Sequence, residues 1–238
     1  MTRKTLKETT IDLAGRRVPI RLTRNARARR VILRVDGHGP GGDGITVTLP
    51  RNAAQREGMA LVMDKADWVL ERLAEMAPRV PFAPGAVVPL LGVDHRVRHA
   101  PDVRGGVWQE GTEIFVTGGL EHLARRLKDW FRSEARRLIG PRVRDKAAAL
   151  DRAAGRITIR DTKSRWGSCS PDGNLSFCWR LVMAPEGVLD YVVAHEVAHL
   201  LEPNHGTEFW RAVRNLTEDV DGSRKWLRLN GEGLHRFG

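Results

Sequence analysis

The feature that most constrains this chain is an H-E-x-x-H motif at residues 195–199, set in an apolar stretch. Apolar residues around the motif recur at helical spacing, namely Val188, Leu189, Val192, Val193, Val197 and Leu200. This spacing predicts a helix with one buried face. Because residues four apart lie one turn apart on a helix, His195 and His199 should project from another face, where both imidazoles can reach one point.

Two neutral imidazoles at this spacing suit a single Zn²⁺ ion, which binds histidine nitrogens at about 2.0–2.1 Å. Glu196 lies about 100° round the helix from His195, so its carboxylate can reach a water molecule on the open side of the ion. Zinc would lower the pKa of that water towards about 7, with Glu196 as the general base. The alternative interpretation is surface or satisfied core histidines on an ordinary amphipathic helix.

A third ligand is predicted just after this helix. Pro203, in the turn sequence Glu202-Pro203-Asn204, cannot continue the helical hydrogen bonding, so the chain should turn back there. His205 would then approach the metal and leave a fourth position for water, as catalytic zinc sites do. The H-x3-H-x5-H spacing matches that of metzincins, but Glu202 stands where their pattern has glycine, so only the ligand spacing is carried over.

Composition limits the class of protein. With 238 residues, of which 41% are hydrophobic, the chain can bury one large core or two small ones. No stretch approaches the roughly 18 apolar residues that span a bilayer, and the first ten residues lead into no apolar signal region. The only two cysteines, Cys169 and Cys178, are too few for a disulfide framework. These features predict a cytoplasmic protein without a membrane partner.

The net charge of +11 raises the hypothesis of an anionic partner, either nucleic acid or a nucleotide. The positive charge is spread along the chain, and its densest run, residues 21–30, contains no interleaved aromatic residue. A solvated basic edge is the simpler interpretation of that run. The glycine-rich residues 37–44 lack the Lys-Ser/Thr of a phosphate-binding P-loop, so they predict a hairpin loop.

The order of strand and helix patterns predicts an α+β fold. Residues 1–118 form a β-rich N-terminal region of hairpins, two of which should turn near Gly92 and near Glu110-Gly111. This region has one helix over 53–77, with Trp68 on its apolar stripe. Residues 119–238 form a second domain, which begins with a helical region over 120–153 that Gly140-Pro141 should break or kink. Besides the motif helix, this domain should contain strands at 156–160, 164–169 and 175–180 and short helices at 207–219 and 222–229.

Residues 163–210 carry a joint pattern: Ser164-Arg165-Trp166-Gly167-Ser168-Cys169, then Tyr191 ahead of His195–His199, then Asn204-His205 and Phe209-Trp210. In this combination the chain resembles the YgjP-like metallopeptidase family, which is related to the SprT-like and WLM proteases and to the gluzincins. Weaker similarity extends back to about residue 24. One departure is Cys178, where the family more often has asparagine, so no polar role is carried over to that position.

The resemblance implies a zincin-like catalytic domain with a small mixed sheet, a backing helix and an active-site helix, preceded by the β-rich region. It implies a zinc-dependent metallopeptidase that hydrolyses a protein or peptide by zinc-activated water. His195, His199 and His205 would bind Zn²⁺, and Glu196 would be the general base. In gluzincins the third ligand is a downstream glutamate, so Glu208 stays open as a rival to His205.

The predicted strand over residues 164–169 should lie beside the cleft, where an extended peptide could add as a further strand. Arg165 and Tyr191 are the candidates for a donor that stabilises the oxyanion, and a structural ion pair is the alternative for Arg165. Ser168 and Trp166 are candidates for substrate contact, although core packing is the simpler interpretation of Trp166.

Two other functions stay open on the sequence alone. A metal-dependent nucleotide phosphohydrolase of pyrophosphatase type would suit a cationic surface, but Mg²⁺ and Mn²⁺ favour oxygen ligands over three histidines. A non-catalytic, nucleic-acid-associated zinc protein would normally close its site with four ligands and use more cysteine. The histidine pattern therefore favours the peptidase.

Overall fold

The computed structural model describes residues 4–39, 42–75 and 78–238, and the chain divides into two compact units, Met1–Arg79 and Val80–Gly238. The boundary expected between residues 118 and 119 lies inside the second unit. The reason is that Val97, Ile114 and Val116 share one hydrophobic core with the helices that follow them. As a boundary between independently folding domains, position 118/119 stays a prediction.

The first unit is a four-stranded mixed sheet with two helices packed against it. Its elements are β1 (Lys4–Leu13), β2 (Arg16–Arg24), β3 (Ile32–Gly39), β4 (Gly42–Leu49), α1 (Gln55–Asp64) and α2 (Ala66–Glu75). The strand order is β1-β2-β4-β3, with β2 and β4 parallel and the other two pairs antiparallel. The glycine-rich loop was predicted over residues 37–44. Residues 40 and 41 lie outside the described residues, whereas 37–39 belong to β3 and 42–44 belong to β4.

The helix predicted over residues 53–77 is two helices, because the backbone leaves the helical conformation at Lys65; residues 76 and 77 are not described. Each helix buries its own pair of residues, Gly58 and Val62 from α1 and Val69 and Leu73 from α2. Trp68, which the sequence placed on the same apolar stripe, is 46% exposed. The turn at Lys65 therefore decides which side chains meet the sheet.

The second unit begins with a sheet of the same topology as the first. Its strands are β5 (Val87–Leu90), β6 (Val93–Ala100), β7 (Val107–Glu110) and β8 (Glu113–Thr117), in the order β5-β6-β8-β7 with β6 and β8 parallel. The hairpins predicted at Gly92 and at Glu110-Gly111 are confirmed. In each unit, the second strand of one hairpin pairs in parallel with the second strand of the next hairpin, and a helix follows the sheet. No internal repeat in the sequence indicates this shared topology.

The long helix α3 (Leu123–Ala149) follows a short 3₁₀ helix at Leu120–His122 and runs without interruption through Pro141. The predicted break at Gly140-Pro141 is therefore wrong. Ile139 and Val143 are fully buried on either side of the proline, and Arg142 donates to the Leu138 carbonyl at 2.9 Å. Core packing on both sides of the proline outweighs the loss of one backbone hydrogen bond.

Every fourth residue of α3 is buried, namely Leu123, Leu127, Phe131, Ala135, Ile139, Val143 and Ala147. A four-residue step advances about 40° beyond a full turn of an α-helix, so this stripe winds round the helix axis. Successive turns can therefore face different neighbours, and α3 packs against β7, β8, β9 and the helix that carries the H-E-x-x-H motif.

The remaining elements surround the motif. They are β9 (Ile157–Arg160), β10 (Gly167–Cys169), β11 (Leu175–Cys178), a 3₁₀ helix at Trp179–Met183, α4 (Glu186–Ala198), α5 (Thr207–Leu216) and α6 (Val220–Leu234). The three strands form a small mixed sheet in the order β10-β11-β9, with β10 at one edge. The strand predicted over 164–169 is shorter, and that over 175–180 ends in the 3₁₀ helix. These elements confirm the predicted α+β class with a small mixed sheet.

The motif helix α4 is buried on nearly all sides, whereas one buried face was predicted. Its buried residues are Val188, Leu189, Tyr191, Val192, Val193, Ala194, Glu196, Val197 and Ala198. It lies among α3, α5, α6, β10 and the 3₁₀ helix, as an α-helix that is apolar all round should. No helix among the described residues is both long and apolar enough to cross a membrane.

Candidate metal centre

The three motif histidines converge where α4 ends. His199 follows the last residue of the helix but keeps a right-handed helical backbone, so its ring centroid lies 5.1 Å from that of His195. The chain then turns, with the Glu202 amide donating to the Ala198 carbonyl at 3.0 Å. This turn brings the ring of His205 to 5.0 Å from that of His195 and 4.8 Å from that of His199.

The resulting histidine cluster (His195, His199 and His205) offers one nitrogen from each ring, and these atoms all lie within 4.8 Å of one another. The Nε2 atoms of His195 and His205 are 3.2 Å apart. Two nitrogens that bind one zinc ion tetrahedrally at 2.0–2.1 Å are about 3.3 Å apart, so this pair already has the spacing of two zinc ligands.

One ring also has the second contact that orients a metal-binding histidine. Nδ1 of His199 lies 3.2 Å from the Glu202 carbonyl oxygen, to which it can donate, leaving the Nε2 lone pair for a metal. For His195, Nδ1 is buried and has no hydrogen-bond partner among the described residues. A protonated His195 ring would need acceptors for both N–H groups, so this environment favours the neutral imidazole, which is the metal-binding form.

The electrostatics of His195 and His199 agree with neutral rings. Burial and, to a smaller extent, the charges of His199, His205 and Arg224 together lower the pKa of His195 to about 4. Burial also lowers the pKa of His199, against a smaller opposing effect of its hydrogen bond to Glu202. At neutral pH these two imidazoles are therefore uncharged and can donate their lone pairs.

Glu196 is the buried carboxyl beside the cluster. Burial raises its pKa to about 7, and the positive charge of Arg165 opposes part of that rise. Its side chain fits against β10 only because residue 167 is glycine: a Cβ there would lie 2.4 Å from Glu196 Cγ. This role of Gly167 was not predicted, although a glycine within a predicted strand is itself a signal of close approach.

The aromatic ring of Phe209 packs against the histidine cluster. This ring is fully buried and lies 4.6 Å from the rings of both His199 and His205. Trp210 stacks on His205 with the ring centres 6.0 Å apart, and the Arg224 guanidinium lies over the Trp210 ring, 4.8 Å from its centre. The sequence pattern included Phe209-Trp210 but did not indicate what these two residues do. In the structure, both rings pack against the histidines.

Glu208, the rival for the third ligand, lies at the start of α5 and pairs with Arg211 at 2.8 Å. It is not part of the cluster that the described residues form. The structure therefore brings His205, and not Glu208, next to His195 and His199.

The other predicted site residues have different positions. Tyr191 is buried one turn before His195, with the two rings 6.0 Å apart, and burial raises its pKa. Trp166 stacks on His235 at 5.0 Å and packs against the core, in agreement with the packing interpretation. Because neighbouring strand residues point to opposite faces, Ser168 points away from the face on which Gly167 meets Glu196.

Strand β10 presents its backbone at the edge of its sheet. The Cys178 amide donates to the Trp166 carbonyl at 2.8 Å, and the Ser170 amide donates to the Asn174 carbonyl at 2.9 Å. In an antiparallel ladder alternate residues bond to the partner strand, so the N–H and C=O groups of Gly167 and Cys169 face away from β11. Among the described residues, no further strand pairs with this edge, which lies next to Glu196.

Comparison with known proteins gives one family match and distant structural matches, which include the two solved structures named below. The sequence model of a family described as YgjP-like, metallopeptidase domain, matches residues 29–230. No curated protein matches the chain significantly. The solved metallopeptidase zymogen of Pyrococcus abyssi abylysin is 19% identical, with a TM-score of 0.35 over 40% of this chain and 93% of that one. The zymogen of Methanocaldococcus jannaschii jannalysin is 23% identical, with a TM-score of 0.34 over 40% and 95%.

Proposed function

The chain belongs to the YgjP-like metallopeptidase family, and from this premise we propose that it is a zinc-dependent peptidase with its active site at the histidine cluster. One observation carries the proposal: three imidazoles and one buried carboxyl, that of Glu196, meet at the end of α4. Zinc fits this donor set because catalytic zinc sites have three protein ligands, often histidines, and one open position. His195, His199 and His205 would hold the ion.

Zinc held there would supply Lewis-acid chemistry, polarising the scissile carbonyl and lowering the pKa of water towards about 7. Glu196 accepts the proton of the attacking water and later delivers it to the leaving amine nitrogen. A general base works best when its pKa lies near the working pH, and burial raises the pKa of Glu196 to about 7. A cation in the cluster would oppose this rise by stabilising the carboxylate.

The edge of β10 would bind the substrate. A peptide that pairs with the outward backbone groups of Gly167 and Cys169 becomes a further strand of the small sheet. Because Gly167 touches Glu196, a peptide held there runs directly past the general base. Backbone pairing of this kind accepts many sequences, so it suits a peptidase that acts on unfolded segments.

Two side chains are candidates for the donor that stabilises the oxyanion. The phenol of Tyr191 can donate a hydrogen bond at neutral pH, since burial raises its pKa further above the ordinary value of about 10, and its ring lies beside His195. Arg165 is exposed, and its charge acts on the Glu196 carboxylate. We propose both as transition-state contacts, of which a kinetic comparison can select one.

The alternative functions receive less support. A nucleotide phosphohydrolase that uses Mg²⁺ or Mn²⁺ would favour oxygen ligands, whereas the cluster consists of imidazoles. The family match concerns a peptidase domain and supports no nucleic-acid partner. The cytoplasmic location stays a prediction from the low cysteine content of the sequence.

A comparison of the wild type with Glu196→Gln, both loaded with zinc, tests the proposal. Glutamine fills the same space but cannot accept the proton, so we expect retained zinc and a loss of peptide hydrolysis of about 10²–10⁴-fold. Both proteins are incubated with unfolded protein substrates and, separately, with nucleoside triphosphates. Phosphate release without peptide cleavage, or full peptidase activity in Glu196→Gln, would contradict the proposal.

A further inference from the structure

An open cleft lies beside the metal centre, between α4 and α6. It has a volume of about 540 Å³ and is lined by Tyr191, Asp221, Arg224, Lys225, Leu227 and Arg228. We call it the basic cleft. Its volume is within the range of about 300–1,000 Å³ that small-molecule sites occupy, so it has room for a side chain or a chain terminus.

Two of its walls reach the histidine cluster. Tyr191 lines the cleft, and its ring lies 6.0 Å from that of His195. Arg224 lies over the ring of Trp210, which in turn lies 5.9 Å from the ring of His195. A group bound in the cleft would therefore lie within one or two residues of a peptide bond positioned at the cluster.

The charge of the cleft is unbalanced. Arg224, Lys225 and Arg228 are spaced along α6 so that they share one side of the helix. The one acidic residue in the lining, Asp221, lies 3.7 Å from Arg224. Among the described residues, Lys225 and Arg228 have no carboxylate within ion-pair distance, so two of the three positive charges in the lining form no ion pair.

From this arrangement we propose that the basic cleft is a specificity subsite that binds a carboxylate of the peptide substrate. The proposal rests on the proposed peptidase function and adds to it a preference for acidic substrates. Guanidinium groups match the planar carboxylate in geometry and charge. The apolar parts of Leu227 and Tyr191 provide surface for the methylene groups that carry such a carboxylate. The carboxylate belongs either to an Asp or Glu side chain or to the C-terminus of the peptide.

A binding experiment separates this proposal from the catalytic one. Fluorescently labelled peptides are titrated with zinc-loaded Glu196→Gln, so that binding is measured without cleavage. Otherwise identical peptides carry Glu or Gln at each position in turn, and each is made with a free and with an amidated C-terminus. We expect Glu to bind about fivefold to tenfold more tightly than Gln at one position, or the free C-terminus to exceed the amide by a similar factor.

The charge-reversal variant Lys225→Glu/Arg228→Glu, combined with Glu196→Gln, should abolish this preference. Its matched control is Arg136→Glu/Arg144→Glu in the same background, which changes the net charge equally at exposed positions of α3 and should retain the preference. Added salt should reduce the preference in the control, because exposed charges are screened. A preference for Glu over Gln would identify an acidic side chain as the source of the carboxylate. A preference for the free over the amidated peptide would identify the C-terminus.

Three results would overturn the subsite: equal binding of acidic and neutral peptides, binding of neither, or equal loss of preference in the test and control variants. None of them would contradict the proposed catalysis, which is measured separately as cleavage by the wild-type protein. Conversely, a wild type that cleaves no peptide contradicts the proposed function, even where the acidic preference in binding is present.

Discussion

Glu196 fills the space that the absent side chain of Gly167 leaves open. A Cβ on Gly167 would lie 2.4 Å from Cγ and 2.5 Å from Oε1 of Glu196. Edge strand β10 and helix α4 therefore approach each other more closely at this point than any other residue type would permit. The contact joins the proposed general base to the strand that would bind the substrate, so both depend on one glycine.

Gly167→Ala should lose most of the peptidase activity while retaining zinc. The added methyl group must displace the Glu196 carboxylate, and misplacing a general base costs about 10²–10⁴-fold in rate. The measurement is kcat/KM together with zinc content. Ser168→Ala is the matched control, since that side chain points to the other face of β10, and its activity should stay within about threefold of the wild type. Wild-type kcat/KM in Gly167→Ala would refute this arrangement.

His205→Ala should weaken zinc binding sharply, and Glu208→Ala should change it little. The reason is that His205 Nε2 lies 3.2 Å from His195 Nε2, whereas Glu208 is paired with Arg211 outside the cluster. Titration against a competing chelator at fixed pH measures the affinity, and the pH is held constant because protons compete for imidazole near its usual pKa of about 6.5. The opposite order of the two variants would identify Glu208 as the third ligand.

N-methylated peptides should reveal the pairing with β10. The outward groups belong to Gly167 and Cys169, so the peptide residues that hydrogen-bond to the edge should alternate along its chain. Removing one such N–H should raise KM by about twofold to tenfold, the value of one hydrogen bond, and methylation of the intervening residues should have little effect. A uniform response to methylation at every position would argue against strand addition.

Tyr191→Phe and Arg165→Ala should differ in their effect on turnover. Loss of an oxyanion donor lowers kcat by about 10²–10³-fold, and the residue that is not the donor should change kcat by no more than about threefold. Because Tyr191 also lines the basic cleft, an effect confined to KM would indicate binding in the cleft instead. Near-normal kcat in both variants would indicate that neither residue stabilises the oxyanion and that the metal alone does so.

An ion pair between the partly exposed Asp161 and the buried Arg180, away from the site, should make stability depend on pH. Burial raises the pKa of the Asp161 carboxyl, but the hydrogen bond from Lys128 and the charge of the buried Arg180 outweigh it and hold that pKa well below its usual value. A carboxyl whose pKa is lowered in the folded state stabilises the fold fully at pH values above its unfolded pKa of about 3.9. This stabilisation is lost progressively as the pH falls from that value through the lowered pKa of the folded state.

Asp161→Asn should therefore lower the free energy of unfolding by about 1–2 kcal/mol at pH 7, because it removes the carboxylate partner of the buried Arg180, and by a smaller amount at pH 3, where part of the stabilisation is already lost. Urea unfolding at the two pH values measures the difference. Asp129→Asn, which removes an exposed partner of Arg125, is the control and should cost less than about 1 kcal/mol at either pH. A cost of Asp161→Asn that is independent of pH would show that its charge is not the cause.

The sequence by itself determined the features that depend on neighbouring residues. The turns at Gly92 and at Glu110-Gly111 depend on a few adjacent residues, so the corresponding hairpins were predicted and the structure confirms them. The spacing of the H-E-x-x-H motif likewise predicts that both histidines lie one turn apart on a helix, because four residues make about one helical turn. The family pattern in residues 163–210 extended this to the class of enzyme, which the family match supports.

Tertiary structure decided what depends on residues far apart in the chain. The parallel pairings β2–β4, β6–β8 and β9–β11 join strands that no local turn connects. Helix α3 continues through Pro141 because core residues pack on both sides of it, although a proline inside a helix would be expected to break it. Helix α4 is buried on nearly all sides, whereas the spacing of its apolar residues predicted one buried face. The contact of Gly167 with Glu196 and the basic cleft on α6 arise in the same way, because only the folded chain brings those surfaces together.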